Sequence, residues 1–437
     1  MQNQHFQPMS TRLFAAAAAL LLSAGITCAA DPTTTTLRID CIFSGGPDGR
    51  HIALSSLSEA GPWAGRSGNM DRPPLRGNGQ VSVREKDGGR MTYVNSFSTL
   101  FQEWLNTEEA TRTDKAFENV FLVPMPEDEA VVRIELYGNR GEVIAAREFQ
   151  VNPDDILIRR TRRPAAPHRY IMENGSPAEK IDLAIVAEGY TAAEAGLFYE
   201  DAAKAAESIF SHSPFKELSD RFNVVAVALP SDESGVSVPH DGAWKNTALG
   251  SHFDTFYSDR YLTTLNIFKL HDSLAGIPYE HIIILANTDT YGGGGIFNSY
   301  LLSSAHNEWT APVIVHEFGH SFAGLADEYF YDDQYTEYYY PDAEPWEQNI
   351  TTLRDFSLKW ADMVPEGCTP VGKDAQQTEG WAGEPEDFEV GLYEGAGYQS
   401  EGVYRGFPEC RMKINDWPSF CPVCERAISR IIEFYTE

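Results

Sequence analysis

His316-Glu317-Phe318-Gly319-His320 decides how this chain is read, together with its continuation Ser321-Phe322-Ala323-Gly324-Leu325-Ala326-Asp327-Glu328. Residues four apart on a helix share a face, so both imidazoles can reach one metal ion. With a rise of 1.5 Å per residue, the two rings start about 6 Å apart along the axis. Zinc accepts imidazole readily, and a catalytic site needs three protein ligands plus an open position for water. Glu317, beside the first histidine, points elsewhere than the metal. It can take a proton from the activated water and later pass it to a leaving amine. Ala311 to Val315 is almost wholly apolar, Gly319 leaves room for close packing, and Gly324 can end the helix in a left-handed conformation. The chain can then double back. Asp327, a short carboxylate after the glycine turn, is the expected third ligand. Glu328 serves instead if the turn is one residue wider, and otherwise either acid is surface charge or steadies a histidine ring.

Upstream, the pattern from residue 180 is α/β. Residues 181–187 form an apolar strand, 192–210 a helix rich in Ala and Glu, and 222–229 a second strand. A helix is expected over 257–274, weakened by Thr263, Thr264 and Ile267. Residues 281–286 are apolar throughout, which places them centrally in the sheet. The glycines 292–295 are read as a flexible turn feeding an edge strand at 296–302, and the helix carrying the histidines as 309–322. Ser299 and Tyr300 on that edge are candidates for facing a peptide bound in extended form. The order gives a twisted sheet backed by helices.

Before residue 155 the periodicity is two. Residues 131–137 and 143–149 flank the turn Gly138-Asn139-Arg140-Gly141, with Val132, Ile134 and Leu136 on one face and Arg133 and Glu135 on the other. Residues 91–94 are also strand-like, whereas 42–80, rich in Gly, Pro and Arg, is expected to be mostly loop. The expected organisation is a leader over 1–30, a β-rich N-terminal domain over 31–155, a basic, proline-containing linker over 156–179, and a catalytic domain over 180–437. The linker holds Arg159-Arg160-Thr161-Arg162-Arg163, read as a solvated stretch meeting acidic faces.

The metal stretch resembles the metzincin metallopeptidases, whose pattern is HExxHxxGxxH or the same with a final Asp. Here it reads HExxHxxxGxxD, with Gly324 and Asp327 each shifted one place. That shift, the following Asp327-Glu328-Tyr329 and the two-domain organisation are similar to peptidase family M64, the IgA-peptidase-like metallopeptidases. The likeness covers roughly 180–437, and the β-rich region matches the family's companion domain. It implies an α/β zincin catalytic domain with a twisted mixed sheet, preceded by a β-sandwich-like domain. It also implies a Zn2+ cofactor and a protein or peptide substrate. Immunoglobulin A, the substrate of the family's named member, is not carried over. Metzincins have a methionine turn beneath the metal, and in Cys410-Arg411-Met412-Lys413 the resemblance makes Met412 that floor, a flexible thioether filling space; Met363 fits less well. Tyr404 could supply a phenolic hydroxyl to an oxyanion, or simply pack.

The formal charge of -30, from 64 acids against 34 bases, disfavours nucleic acid and anionic lipid as partners. Arg12, the apolar run from Leu13 to Leu22 and small residues up to Ala30 read as a secretory signal, with a start at Met9 and cleavage near Cys28-Ala29-Ala30. Export follows, to periplasm, surface or medium. Thr27 before Cys28 departs from the small residue that lipid attachment prefers. No later segment is apolar and long enough to span a membrane. The other cysteines are Cys41, Cys368, Cys410, Cys421 and Cys424. The last three lack a fourth partner for a structural zinc, so one local disulfide or buried thiols is the plainer account. Asp332, Asp333 and Glu337, in the aromatic and acidic stretch 329–340, have no regular calcium-ligand spacing and read as a solvated loop. The expected activity is that of a secreted zinc endopeptidase using Glu317. The alternatives are a zinc amidase or deacetylase, and a non-catalytic module binding protein or glycan.

Overall fold

The computed structural model describes residues 34–86, 89–160, 163–331, 337–373 and 388–437. The leader, Cys28, Asp332, Asp333 and Arg162 lie outside these residues. Among the described residues, seven strands precede residue 152: β1 (Thr35–Gly46), β2 (Gly49–Pro62), β3 (Gly79–Glu85), β4 (Met91–Phe97), β5 (Lys115–Pro124), β6 (Ala130–Tyr137) and β7 (Val143–Val151). They form two antiparallel sheets, ordered β2-β1-β5 and β4-β3-β6-β7. Leu37, Ile39, Cys41 and Phe43 of β1, Val81 and Val83 of β3, and Val132, Ile134 and Leu136 of β6 share one core. A short helix α1 (Leu100–Leu105), capped by the Thr99 side chain accepting from the Gln102 N–H, adds Phe101 and Trp104 to it.

Residues 42–80 therefore differ from the expected loop, because β1 and β2 make a long hairpin turning at residues 46–49. β2 is an edge strand with mostly exposed or half-buried residues, so it carries no alternation of its own; its partner β1 supplies the apolar face.

The second half is built on a six-stranded mixed sheet. Its strands are β8 (His168–Met172), β9 (Ile181–Glu188), β10 (Phe222–Val227), β11 (His281–Ala286), β12 (Gly293–Ile296) and β13 (Tyr300–Ser304), in the order β12-β13-β11-β9-β10-β8. The four inner strands are parallel, and both edge strands run antiparallel to their neighbours. Helices α2 (Ala195–Phe210), α4 (Thr310–Ala323) and α5 (Pro422–Thr436) cover one face, packing on Ile181, Leu183, Ile185 and Ala187. Ala184, Val186, Ile282 and Ile284, which point the other way, join the core of the N-terminal sheets. Burial from both sides explains why β9, β10 and β11 are apolar at nearly every position.

The helix expected over 257–274 shrinks to α3 (Ile267–Ser273). Phe256 and Tyr257 have positive φ, and Thr263 pairs with His252 in an isolated bridge, so the β-branched threonines are held extended. The edge strand is also displaced: it is the glycine run itself, β12, and Tyr300 lies in the next strand inward. Four further strands lie among the described residues: β14 (Phe330–Tyr331), β15 (Ile350–Thr351) and β16 (Tyr393–Ala396), gathered around β17 (Tyr398–Arg405). At the end of α5, Tyr435 packs on Phe322 of α4 and His281 of β11. The Arg66 guanidinium there lies 5.2 Å from the Phe434 ring centroid and 5.7 Å from that of Tyr435.

Candidate metal centre

α4 ends at Gly324, whose φ of +60° places it in the left-handed region that glycine enters without strain; its N–H returns to the carbonyls of Gly319 and His320. The chain then reverses and brings Asp327 back under the helix. The Nε2 atoms of His316 and His320 lie 3.0 Å apart. Asp327 Oδ1 lies 3.1 Å from the first and 3.2 Å from the second. Both Nδ1 atoms face backbone carbonyls, His316 towards Arg411 at 2.9 Å and His320 towards Leu325 at 2.6 Å. A carbonyl only accepts, so each Nδ1 carries the proton and each Nε2 presents a lone pair. Three acceptor atoms thus converge, and Asp327 Oδ1 is buried without a hydrogen-bond partner among the described residues. A cation fits that donor set, and two imidazoles with one carboxylate is a ligand set zinc accepts.

The floor of the site is the turn at 410–413. A Cβ on Gly319 would stand 2.6 Å from Met412 Sδ, so the fully buried thioether lies directly against the helix between the two histidines. The Arg411 carbonyl in the same turn holds His316, and the Met412 carbonyl accepts from the Glu328 N–H at 2.8 Å. The roof is β12. A Cβ on Gly295 would come within 2.4 Å of the Glu317 carbonyl oxygen and 3.1 Å of its Oε2, so only glycine allows strand and helix this close. Glu317 sits beneath that strand with its pKa raised by burial.

The cleft above these residues has a volume of about 1510 Å³ and is bounded by both halves of the chain. Asn78, Glu103 and Arg140 come from the N-terminal half; Arg260, β12, Glu317 and Tyr329 come from the other. Glu103, on α1, accepts a hydrogen bond from the Tyr261 hydroxyl, and burial pushes its pKa up to about 7.

The remaining sequence candidates fall elsewhere. Tyr404 is outside the cleft, with its hydroxyl 3.5 Å from Glu394. The tyrosine that reaches the metal residues is Tyr398 on the same strand, which donates to Asp327 Oδ2. Its sequence mark is weak: an aromatic directly after Gly397, itself at positive φ like Gly395. Ser299 sits in the turn between β12 and β13. Tyr300 is buried, its hydroxyl donating to the Thr264 carbonyl at 3.0 Å, so neither faces the cleft. Glu328 is not at the histidines. Its fully buried carboxylate turns the other way, towards Asn349 and the thiols of Cys410, Cys421 and Cys424. Glu337 is exposed.

Compared with known families, the sequence matches the one described as IgA Peptidase M64 over residues 170–384 and 373–432. It also matches the one described as Peptidase M64 N-terminus over residues 31–147. No curated protein sequence matches it. No helix among the described residues is long and apolar enough to cross a membrane. With most of its length matched, the chain belongs to peptidase family M64, a metallopeptidase whose substrate is protein or peptide.

Proposed function

We propose that this protein is an exported zinc endopeptidase in which His316, His320 and Asp327 hold the ion and Glu317 is the general base. The observation that carries the reading is the convergence of two imidazole lone pairs and one orphaned carboxylate oxygen within 3.0–3.2 Å. Zinc held there would acidify a water molecule and polarise the scissile carbonyl. Glu317 then takes a proton from the attacking water and returns it to the departing amine nitrogen. Its pKa, raised by burial, makes it a stronger acceptor for that proton. Tyr398, donating to Asp327, positions that ligand.

β12 would hold the substrate. Past Gly293, where Tyr261 bridges to it, its outer edge has no strand partner among the described residues, so an extended peptide can pair with its backbone. The cleft volume of about 1510 Å³ exceeds the 300–1,000 Å³ typical of a small-molecule pocket and supports binding of several residues and cleavage within a chain. The division into residues 31–155, 156–179 and 180–437 belongs to the same reading, the first forming one wall of the cleft. So does a metzincin-like catalytic half, supported by the strand above α4 and Met412 below it. The leader-like composition of residues 1–30 supports export.

The test is Glu317→Gln, assayed on a quenched-fluorescent peptide library. Turnover should fall about 10²–10⁴-fold with the metal retained. Undiminished turnover would overturn the assignment.

A further inference from the structure

The acid next to Asp327 belongs to a second group of donors. Glu328 Oε1 accepts from Asn349 Nδ2 at 3.0 Å and lies 3.1 Å from Cys424 Sγ, while Oε2 is buried with no hydrogen-bond partner among the described residues. Around it stand Cys410, Cys421 and Cys424, all buried, and one ligand atom from each of the four residues lies within 4.8 Å of the others. The Sγ atoms of Cys410 and Cys424 are 3.7 Å apart. Two sulfurs at about 2.3 Å from one tetrahedral zinc are about 3.8 Å apart. A disulfide would hold them at about 2.05 Å. The spacing is that of two ligands sharing an ion.

Two of the sulfurs accept backbone hydrogen bonds. Cys421 is the N-cap of α5, and the Cys424 N–H reaches its sulfur at 3.5 Å; the Cys421 N–H reaches the sulfur of Cys410 at 3.2 Å. These donors and the positive end of a 15-residue helix favour negative sulfur. Buried Arg405 lies within electrostatic reach of Glu328, Cys410 and Cys421, which offsets the excess negative charge of three thiolates and a carboxylate. All four donors are buried, so no position is left for substrate.

We propose that Glu328, Cys410, Cys421 and Cys424 bind a second, structural zinc ion. The thiols enter as thiolates, releasing their protons to solvent, with no change of redox state. The ion ties three segments at the point where they support the first site. Glu328 follows Asp327, Cys410 precedes Met412 by two residues, and the two segments are already joined by the Glu328 N–H to Met412 carbonyl bond. The proposal stands apart from the catalytic reading, because it shares no ligand with it.

The experiment uses the full chain and the double variant His316→Ala/His320→Ala, which leaves the four donors intact. Elemental analysis should give two zinc ions per wild-type chain and one in the variant. X-ray absorption of the variant should show a sulfur shell at about 2.3 Å. A metal-free variant, a retained ion with only nitrogen and oxygen neighbours, or intact mass showing a disulfide among these cysteines overturns the proposal. Cys424→Ser in the otherwise wild-type chain should lose the sulfur shell and keep the histidine-bound ion. A wild-type chain with a single sulfur-bound zinc would sustain this site and sink the catalytic assignment; a single ion without sulfur would do the reverse.

Discussion

Asp327 and Glu328 are neighbours in sequence with opposite destinations. Asp327 faces two half-buried imidazoles at the base of an open cleft, whereas Glu328 faces three thiols in the interior. The first group has three protein donors and room for a fourth from solvent. The second has four donors and no opening. One peptide bond thus separates an arrangement suited to chemistry from one suited to holding the fold, and the contrast lies in access and donor number rather than in the acid.

Exchanging the two acids for non-ligands should separate those roles most strongly. Asp327→Ala should lower turnover by more than about 100-fold, beyond what removal of a residue merely steadying a ligand costs, with the melting temperature nearly kept. Glu328→Gln should do the opposite. It should cost on the order of 3–5 kcal/mol in denaturant unfolding, the range for breaking a buried charged pairing, with the histidine-bound ion retained in folded protein. If the two variants behave alike, the distinction fails.

A smaller effect is expected at Tyr398. Tyr398→Phe removes the donor to Asp327 Oδ2 and should weaken metal affinity about 10–100-fold in chelator competition, leaving the sulfur-rich site untouched.

His281, packed at the far end of α5 from the cysteines, offers a control. Its ring is buried between Phe322 and Tyr435, and burial pushes its pKa down to about 3. The unfolded chain takes up that proton more readily, so stability should be full above the unfolded value of about 6.5 and decline as pH falls below it. Between pH 7 and pH 5 this is about 2 kcal/mol, which His281→Phe should abolish in pH-dependent melts without changing metal content.

The smallest effect belongs to Gly319→Ala. The new Cβ must displace Met412 Sδ from 2.6 Å, an overpacking cost of about 1–3 kcal/mol. Better helix propensity returns about 1 kcal/mol. The net should be a slight fall in urea midpoint.

What the sequence revealed follows how local each signal is. The metal helix and its stop at Gly324 were legible because the four-residue repeat and the glycine lie within one stretch. Asp327 was legible for the same reason. β6 was legible because its apolar and polar residues alternate strictly, and β7 because the turn at 138–141 announces a returning strand. β2 was not, since an exposed edge strand full of serine borrows its order from β1. Thr263 and Thr264 were assigned to a helix because nothing nearby in sequence announces their pairing with His252 and Tyr300. The glycines of β12 were read as a turn because glycine is rare in strands; here its lack of a side chain is what the helix beneath requires. Glu328 was weighed only against the histidines. Its thiol partners are more than 80 residues away, and no periodicity links them.

α5 starts among the cysteines and finishes against Arg66, with Asn69 Nδ2 donating to the Phe434 carbonyl. It therefore acts as a strut whose foot stands in the sulfur-rich group and whose head braces the opposite half of the molecule. Trimming its final turn would strip the aromatic lid from Arg66 and, at the same stroke, unweight the anchorage of the methionine turn. A disturbance begun near residue 66 has the same rigid rod along which to reach the histidines.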